Sequence, residues 1–206
     1  MGIRVNTNVQ SLAAQRNLSQ TSRSQQQSLQ RLASGQRINQ AADDAAGLAI
    51  SEKMRASIRS IGQSVRNAND GILMIQTAEG AMNEVGNILV RFRELAVQAA
   101  SDTIGETERG FVDKEVQQLR QEIDRISAAT EYNGRKIVGG EGGELQIQVG
   151  INNNPSEDRF LYDTHQTNVS SEALGLSDLS VRDRDSAQEN LGKIDDAIKE
   201  IGRAHV

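Results

Sequence analysis

MRASIRSIGQSVRNANDGILMIQTAEGAMNEVGNILVRFRELAVQA, residues 54–99, decides the fold. Within it Met54, Ile58, Ile61, Val65, Ala68, Ile72, Ile75, Ala78, Met82, Val85, Leu89, Phe92, Leu95 and Ala99 recur at steps of three or four, with Asn, Gln, Arg and Glu between them. That spacing is one face of a single long helix. The chain's one proline, Pro155, lies outside the stretch. Gly62, Gly71, Gly80 and Gly86 weaken the helix locally without ending it. At about 1.5 Å per residue the helix is roughly 70 Å long. A compact globule of this chain length has a diameter near 45 Å, so the sequence predicts a rod-like molecule whose long faces assemble with others.

Working outward, two more stripes repeat the pattern. Val112, Val116, Leu119, Ile123 and Ile126 advance by four and three after the break SDTIGET (101–107), and the short connection makes this second helix antiparallel to the first. From about residue 185 to 202, Ala187, Leu191, Ile194, Ile198 and Ile201 form a third stripe. The predicted helix seam comprises Ile58, Ile61, Val65, Ile72, Ile75, Met82, Val85, Leu89 and Phe92 of the first helix. Leu119, Ile123 and Ile126 join it from the second, and Leu191, Ile194 and Ile198 from the third. Each large apolar side chain contributes roughly 1.5–3 kcal/mol when fully buried.

Between the second and third stripes the chain changes character. Asn133-Gly134 is a hairpin turn signal, KIVGGEGG is rich in glycine, and ELQIQVG places Leu145, Ile147 and Val149 on one side of a strand. A small β-hairpin region over about 133–184 is predicted, with residues 150–184 irregular and polar. Residues 1–40 form a weakly apolar arm, with Val5, Val9 and Leu12 at helical spacing and Leu29 and Leu32 further on. They bury too little to offset their ordering entropy, so the arm is expected to order only against a partner surface. The predicted fold is mainly α: an elongated antiparallel bundle of long, coiled-coil-like helices over residues 41–206, with the small β region inserted and the arm in front.

Composition narrows the function. Hydrophobic residues make up 36% of the chain and aromatics 2%, with no Trp; aliphatic seams suit this better than an aromatic-lined cleft. No cysteine is present, which removes disulfides, thiol nucleophiles and cysteine-bound zinc. No apolar run reaches membrane-spanning length, so no membrane insertion is expected. The start MGIRVN lacks the apolar stretch of a cleavable signal, and Asn6 replaces the Ser or Thr that myristoylation at Gly2 requires. Residues 1–66 carry nine Lys or Arg against Asp43, Asp44 and Glu52, within a chain of net charge −5. These arginines are dispersed and no aromatic is interleaved for base stacking, so no nucleic-acid partner is expected.

No catalytic constellation emerges. His165 and His205 lack visible partners, Asp43 and Asp44 sit where a helix begins and read as caps, and GGEGG lacks the Lys and Ser or Thr of a phosphate loop. An enzyme, a metal site and a cofactor are not expected.

Six longer words are specific in themselves: MGIRVNTNVQSLAAQRNL (1–18), RLASGQRINQAADDAAGLAIS (31–51), RNANDGILMIQTAEGAM (66–82), RFRELAVQAAS (91–101), EYNGRKI (131–137) and LQIQVG (145–150). In order and spacing they closely resemble the amino-terminal half of bacterial flagellin. The resemblance implies a structural subunit of the flagellar filament that self-assembles for motility. In the family the first forty or so residues form an inner helix lining the filament channel, and the helices that follow form a rod domain contacting neighbouring subunits. Other flagellin subunits, the flagellar export apparatus and the filament cap are the implied partners, and the extracellular filament, reached by unfolded export, the implied location. The family is also read by a host innate receptor, Toll-like receptor 5; the positions matching its binding motif are Arg91, Leu95 and Glu115. Hook–filament junction proteins share the terminal helices and are the alternative. Family members continue past a third helix into a further carboxyl-terminal helix, whereas this sequence stops at GRAHV; a fragment or a truncated variant is the expectation.

Overall fold

The computed structural model describes residues 8–204. Gly2, Val5, Asn6 and His205, named above, lie outside the described residues. The chain divides into two compact units, residues 1–60 and 61–206.

In the first unit, helix α1 (Val9–Ser34) opens where the Asn8 side chain accepts a hydrogen bond from Ser11 N at 3.1 Å. It closes at Gly35, whose φ of 65° is the left-handed conformation that a helix C-terminus favours. None of its side chains is buried, and Leu18, Leu29 and Leu32 stand in solvent. The following turn is organised by Asp43, whose carboxylate accepts from Asn39 N at 3.2 Å and Gln40 N at 3.4 Å and pairs with Arg31 at 3.1 Å. The Asn39 amide, and then Arg31, hold this carboxyl below its ordinary range. Asp44 accepts from Gly47 N at 2.8 Å and so caps helix α2 (Ala45–Ala99). Alanine and glycine after that cap let the helix begin nine residues before its first stripe residue.

The second unit holds α2 from Ile61 onward, α3 (Glu106–Ala129) and α4 (Arg184–Ala204). Cross-helix pairs give their directions. Arg91 meets Glu115 at 2.8 Å while Arg109 reaches back to Ala99 O at 2.9 Å, so α3 runs antiparallel to α2. Arg93 meets Asp195 at 2.8 Å and Arg184 meets Asp102 at 3.2 Å, so α4 also runs antiparallel to α2. Between them lies one apolar core, in which Val85, Leu89 and Phe92 of α2 are fully buried together with Val116 and Ile123 of α3 and Ile194 of α4.

Two hairpins cover one end of that core. Strands β1 (Glu131–Tyr132) and β2 (Arg135–Lys136) are joined by Asn133 at φ 51° and Gly134 at φ 75°. Two successive positive φ values are the requirement of a tight hairpin turn, which Asn-Gly meets at least cost. Strand β3 (Glu144–Gln148) pairs antiparallel with β4 (Arg159–Asp163), from Glu144 opposite Asp163 to Gln148 opposite Arg159. The intervening loop folds around buried Asp158, which accepts from Asn154 N at 2.9 Å. The region thus contains two hairpins, not one.

Residues 164–183 are irregular, as the sequence suggests, but they are not merely polar: Val169, Leu174, Leu176, Leu179 and Val181 are buried. Steps of five, two, three and two match neither helix nor strand, which hides these residues from a periodicity reading. Helix α3 holds the segment down. Asp124 accepts from Ser171 N at 2.9 Å, Asp113 accepts from Val181 N at 2.9 Å, and Gln117 donates to Leu179 O at 2.8 Å.

Candidate functional site

The outer flank of α2 and α3 carries the first candidate surface. Arg91 donates through Nε and Nη2 to one oxygen of Glu115, at 3.0 and 2.8 Å, and through Nη1 to Glu94 at 2.9 Å. Hydrogen bonding to Glu94 first, and to Glu115 second, raises its already high pKa, so the guanidinium is charged at every working pH. All three side chains are substantially exposed. Such a pair adds little to stability, but it presents a planar donor and two carboxylates in a fixed arrangement to anything that approaches.

Leu95 does not share this surface. It is 1% exposed and belongs to the core, facing inward from the turn that carries Arg91 outward. The three positions brought forward by the receptor motif therefore split: Arg91 and Glu115 meet on the outside, and Leu95 supports the helix beneath them. Phe111, 63% exposed and beneath the Lys114 ammonium at 5.7 Å, was not flagged by the sequence. It stands four residues before Glu115, one turn away on the same face of α3, and that spacing was the available signal.

The second candidate surface comes from the predicted seam. Met82, Val85, Leu89, Phe92, Ile123, Ile126 and Ile194 are buried, while Ile75, Leu119, Leu191 and Ile198 are partly buried against them. Ile58, Ile61, Val65 and Ile72 are exposed, Ile58 by 68% and Val65 by 56%. The reason lies in helix lengths. With Arg91 opposite Glu115, the 24 residues of α3 reach back along α2 only to about residue 77. Below that level in the second unit the β3 end touches α2, at Ser64, which donates to Gly150 O at 3.1 Å, at Asn67, which donates to Gln148 O at 2.9 Å, and at Gly71 beside Ile147. Small and polar residues thus take the covered side there, and Ile61, Val65 and Ile72 are exposed.

Among the described residues no group of His, Cys, Asp and Glu is placed to hold a metal ion, and no helix is long and apolar enough to cross a membrane. His165 is exposed, its backbone N–H bonded to Asp163. The glycine-rich segment is structural: Gly140 lies against Asn168 and Gly142 against Thr164, while Tyr162 Oη donates to Ile137 O at 3.0 Å.

Comparison with known proteins gives one family. Residues 5–142 match the model of the bacterial flagellin N-terminal helical region. A flagellin of Halalkalibacterium halodurans is 41% identical over 204 residues, which is 98% of this chain and 74% of that protein. Polar flagellin F of Vibrio parahaemolyticus is 47% identical over 150 residues, covering 73% of this chain and 40% of its own length. A flagellin of Salmonella muenchen is 42% identical over 191 residues, 93% of this chain but 37% of its own. The chain therefore spans less than half of the latter two relatives. Among solved structures, the crystal structure of Bacillus cereus flagellin superimposes with a TM-score of 0.59 at 30% identity, over 68% of this chain and 78% of that one.

Proposed function

This chain belongs to the bacterial flagellin family, a family of structural proteins rather than enzymes, and from that premise we propose that it serves as a subunit of an extracellular flagellar filament. One observation carries the reading. Large apolar side chains on continuous helices lie uncovered within the described chain, with Met54 62% and Ile58 68% exposed and α1 burying nothing. Scattered exposed apolar residues are ordinary, but an aligned stripe marks an interaction surface. Copies joined through such faces by contacts whose rotation does not close grow as open helical filaments. Residues 1–40 act in this reading as an arm that gains its apolar contacts from other subunits, with the export apparatus and filament cap as its partners on the way. The test is incorporation. Purified chain added to short flagellar filament seeds is expected to elongate them, seen by sedimentation and electron microscopy; seeds that stay unextended at every concentration would remove the proposal.

The Arg91–Glu115 pair is proposed to be read by the host receptor, Toll-like receptor 5. Leu95 acts there by holding the helix that presents Arg91. In a receptor-reporter assay Arg91→Glu and Glu115→Lys are each expected to lower the response by about tenfold or more, as central charged contacts do. Unchanged helicity by circular dichroism would accompany the loss. A full response from both variants would remove the sites from the interface.

A further inference from the structure

The turn between β1 and β2 meets the conditions under which an asparagine reacts with its own backbone. Asn133 is the one asparagine of the sequence that is followed by glycine. Both turn residues are exposed, and a Cβ placed on Gly134 would meet nothing within 4 Å, so open space surrounds the Gly134 nitrogen. Tyr132 stands opposite Arg135 in the ladder, so the turn closes between those two residues and leaves the Gly134 N–H outside it. Among the described residues no hydrogen bond engages that N–H or the Asn133 carboxamide. Other asparagines lack at least one of these conditions. Asn67 donates to Gln148 O at 2.9 Å, Asn190 donates to Ser180 O at 2.7 Å, and Asn168 accepts from Ser170 N at 3.0 Å. Asn154 precedes Pro155, whose nitrogen carries no hydrogen. Asn152 and Asn153 are exposed, but each is followed by a residue whose side chain crowds the reacting nitrogen.

We propose that Asn133 is a site of spontaneous deamidation that this turn leaves open in the folded chain. The Gly134 nitrogen gives its proton to hydroxide and attacks Asn133 Cγ. The N–Cγ bond forms, the Cγ–Nδ2 bond breaks, and ammonia leaves with a proton taken from water, so that a cyclic imide remains. Water then opens either carbonyl–nitrogen bond of the imide. Opening at Cγ gives aspartate in an unchanged backbone. Opening at the backbone carbonyl gives isoaspartate, whose main chain runs through Cβ and is one carbon longer. The two products act differently on the fold. Aspartate followed by glycine satisfies the same tight turn. The isoaspartyl turn cannot hold Tyr132 opposite Arg135, which loosens the hairpin that leads directly into the fully buried Ile137 and Val138. Either product adds a negative charge two residues from Arg135, a cation with no acidic partner among the described residues. The reaction needs a single chain and stands apart from the filament reading.

The test is to hold the folded chain at neutral and mildly alkaline pH and to map its peptides by mass spectrometry, with fragmentation that separates aspartate from isoaspartate. Asn133 is expected to convert faster than Asn152 and Asn153. Its rate should rise about tenfold for each pH unit, as reaction through a deprotonated amide requires. Asn133→Gly keeps a turn that accepts two positive φ values; it should abolish the change at this position and leave Asn152 and Asn153 as they were. The isoaspartyl fraction, isolated by chromatography from aged protein, is expected to unfold at a lower denaturant concentration than fresh chain, while Asn133→Asp unfolds with the fresh chain. Conversion of Asn133 no faster than that of Asn152 and Asn153 in the folded chain would overturn the site, and all the more so if urea-unfolded chain did convert it faster, because the turn would then be a shield. A rate indifferent to pH would overturn the mechanism. An isoaspartyl fraction as stable as fresh chain would overturn the loosening of the hairpin.

Discussion

Arg109 is the residue on which the α2–α3 turn closes. A helix leaves its last carbonyls without internal donors, and here Ala99 O and Ser101 O are both met by the Arg109 guanidinium, at 2.9 and 2.8 Å, from the first turn of the next helix. Arg109 is buried to 9% exposure, so its charge faces the negative end of α2 with little water between. Arg109→Met keeps the volume and loses both donors. The variant is expected to be destabilised by about 1–3 kcal/mol, the cost of leaving a buried acceptor unmet, read as a fall in the chemical denaturation midpoint. No sequence pattern signals this role, because an Arg inside a polar helix start looks like any solvated cation. The roles of Asp44, a helix cap, and of Asn133-Gly134, a tight turn, were legible because local backbone geometry alone demands such residues. Leu95 was legible as a seam residue and misleading as a surface one; its spacing with Phe92 and Ala99 was the better guide.

At the scale of elements, α3 and α4 appear where their stripes predict, while α2 and the loop before α4 each add something periodicity does not contain. The stripe on α2 reports that a face is apolar but not which part of it finds a partner within the chain. That depends on what packs along each part of it, and Ile58, Ile61, Val65 and Ile72 are exposed. The loop 164–183 is held by single carboxylates of α3, and no pattern announces those pairings. Helix α4 begins on a cap of this kind: Asp183 accepts from Ser186 N at 2.8 Å and from Ser186 Oγ at 2.7 Å. The backbone bond from Ser186, followed by its hydroxyl, lowers the Asp183 pKa below its ordinary 3.8. Since the folded value is depressed, the stabilisation is present above the ordinary value and is lost as pH falls through the folded one. The amide signals at the start of α4 are accordingly expected to lose protection below about pH 4. Asp183→Asn keeps the accepting oxygen, and should flatten that acid dependence while preserving the helix at neutral pH.

For the molecule as a whole, α2 falls into two parts by what covers it. From about Met74 to Ala99 it is the spine of a core closed by the chain's own α3, α4 and hairpins. From Ile50 to Ile72 its apolar side is uncovered, flanked by cations in a chain whose net charge is negative. Fold class was legible because three stripes of the same period must pack together. Family was legible because whole words such as RFRELAVQAAS carry more information than any spacing. The proposed assembly surface lies in the same stripe as the core, and only the tertiary arrangement separates the two. Amide hydrogen exchange on the free chain and on seeded filaments measures that separation most directly. Residues 85–99 are expected to be strongly protected in both states, and residues 50–72 only in filaments. Equal protection of the two segments in the free chain, or residues 50–72 exchanging as fast in filaments as before assembly, would contradict it.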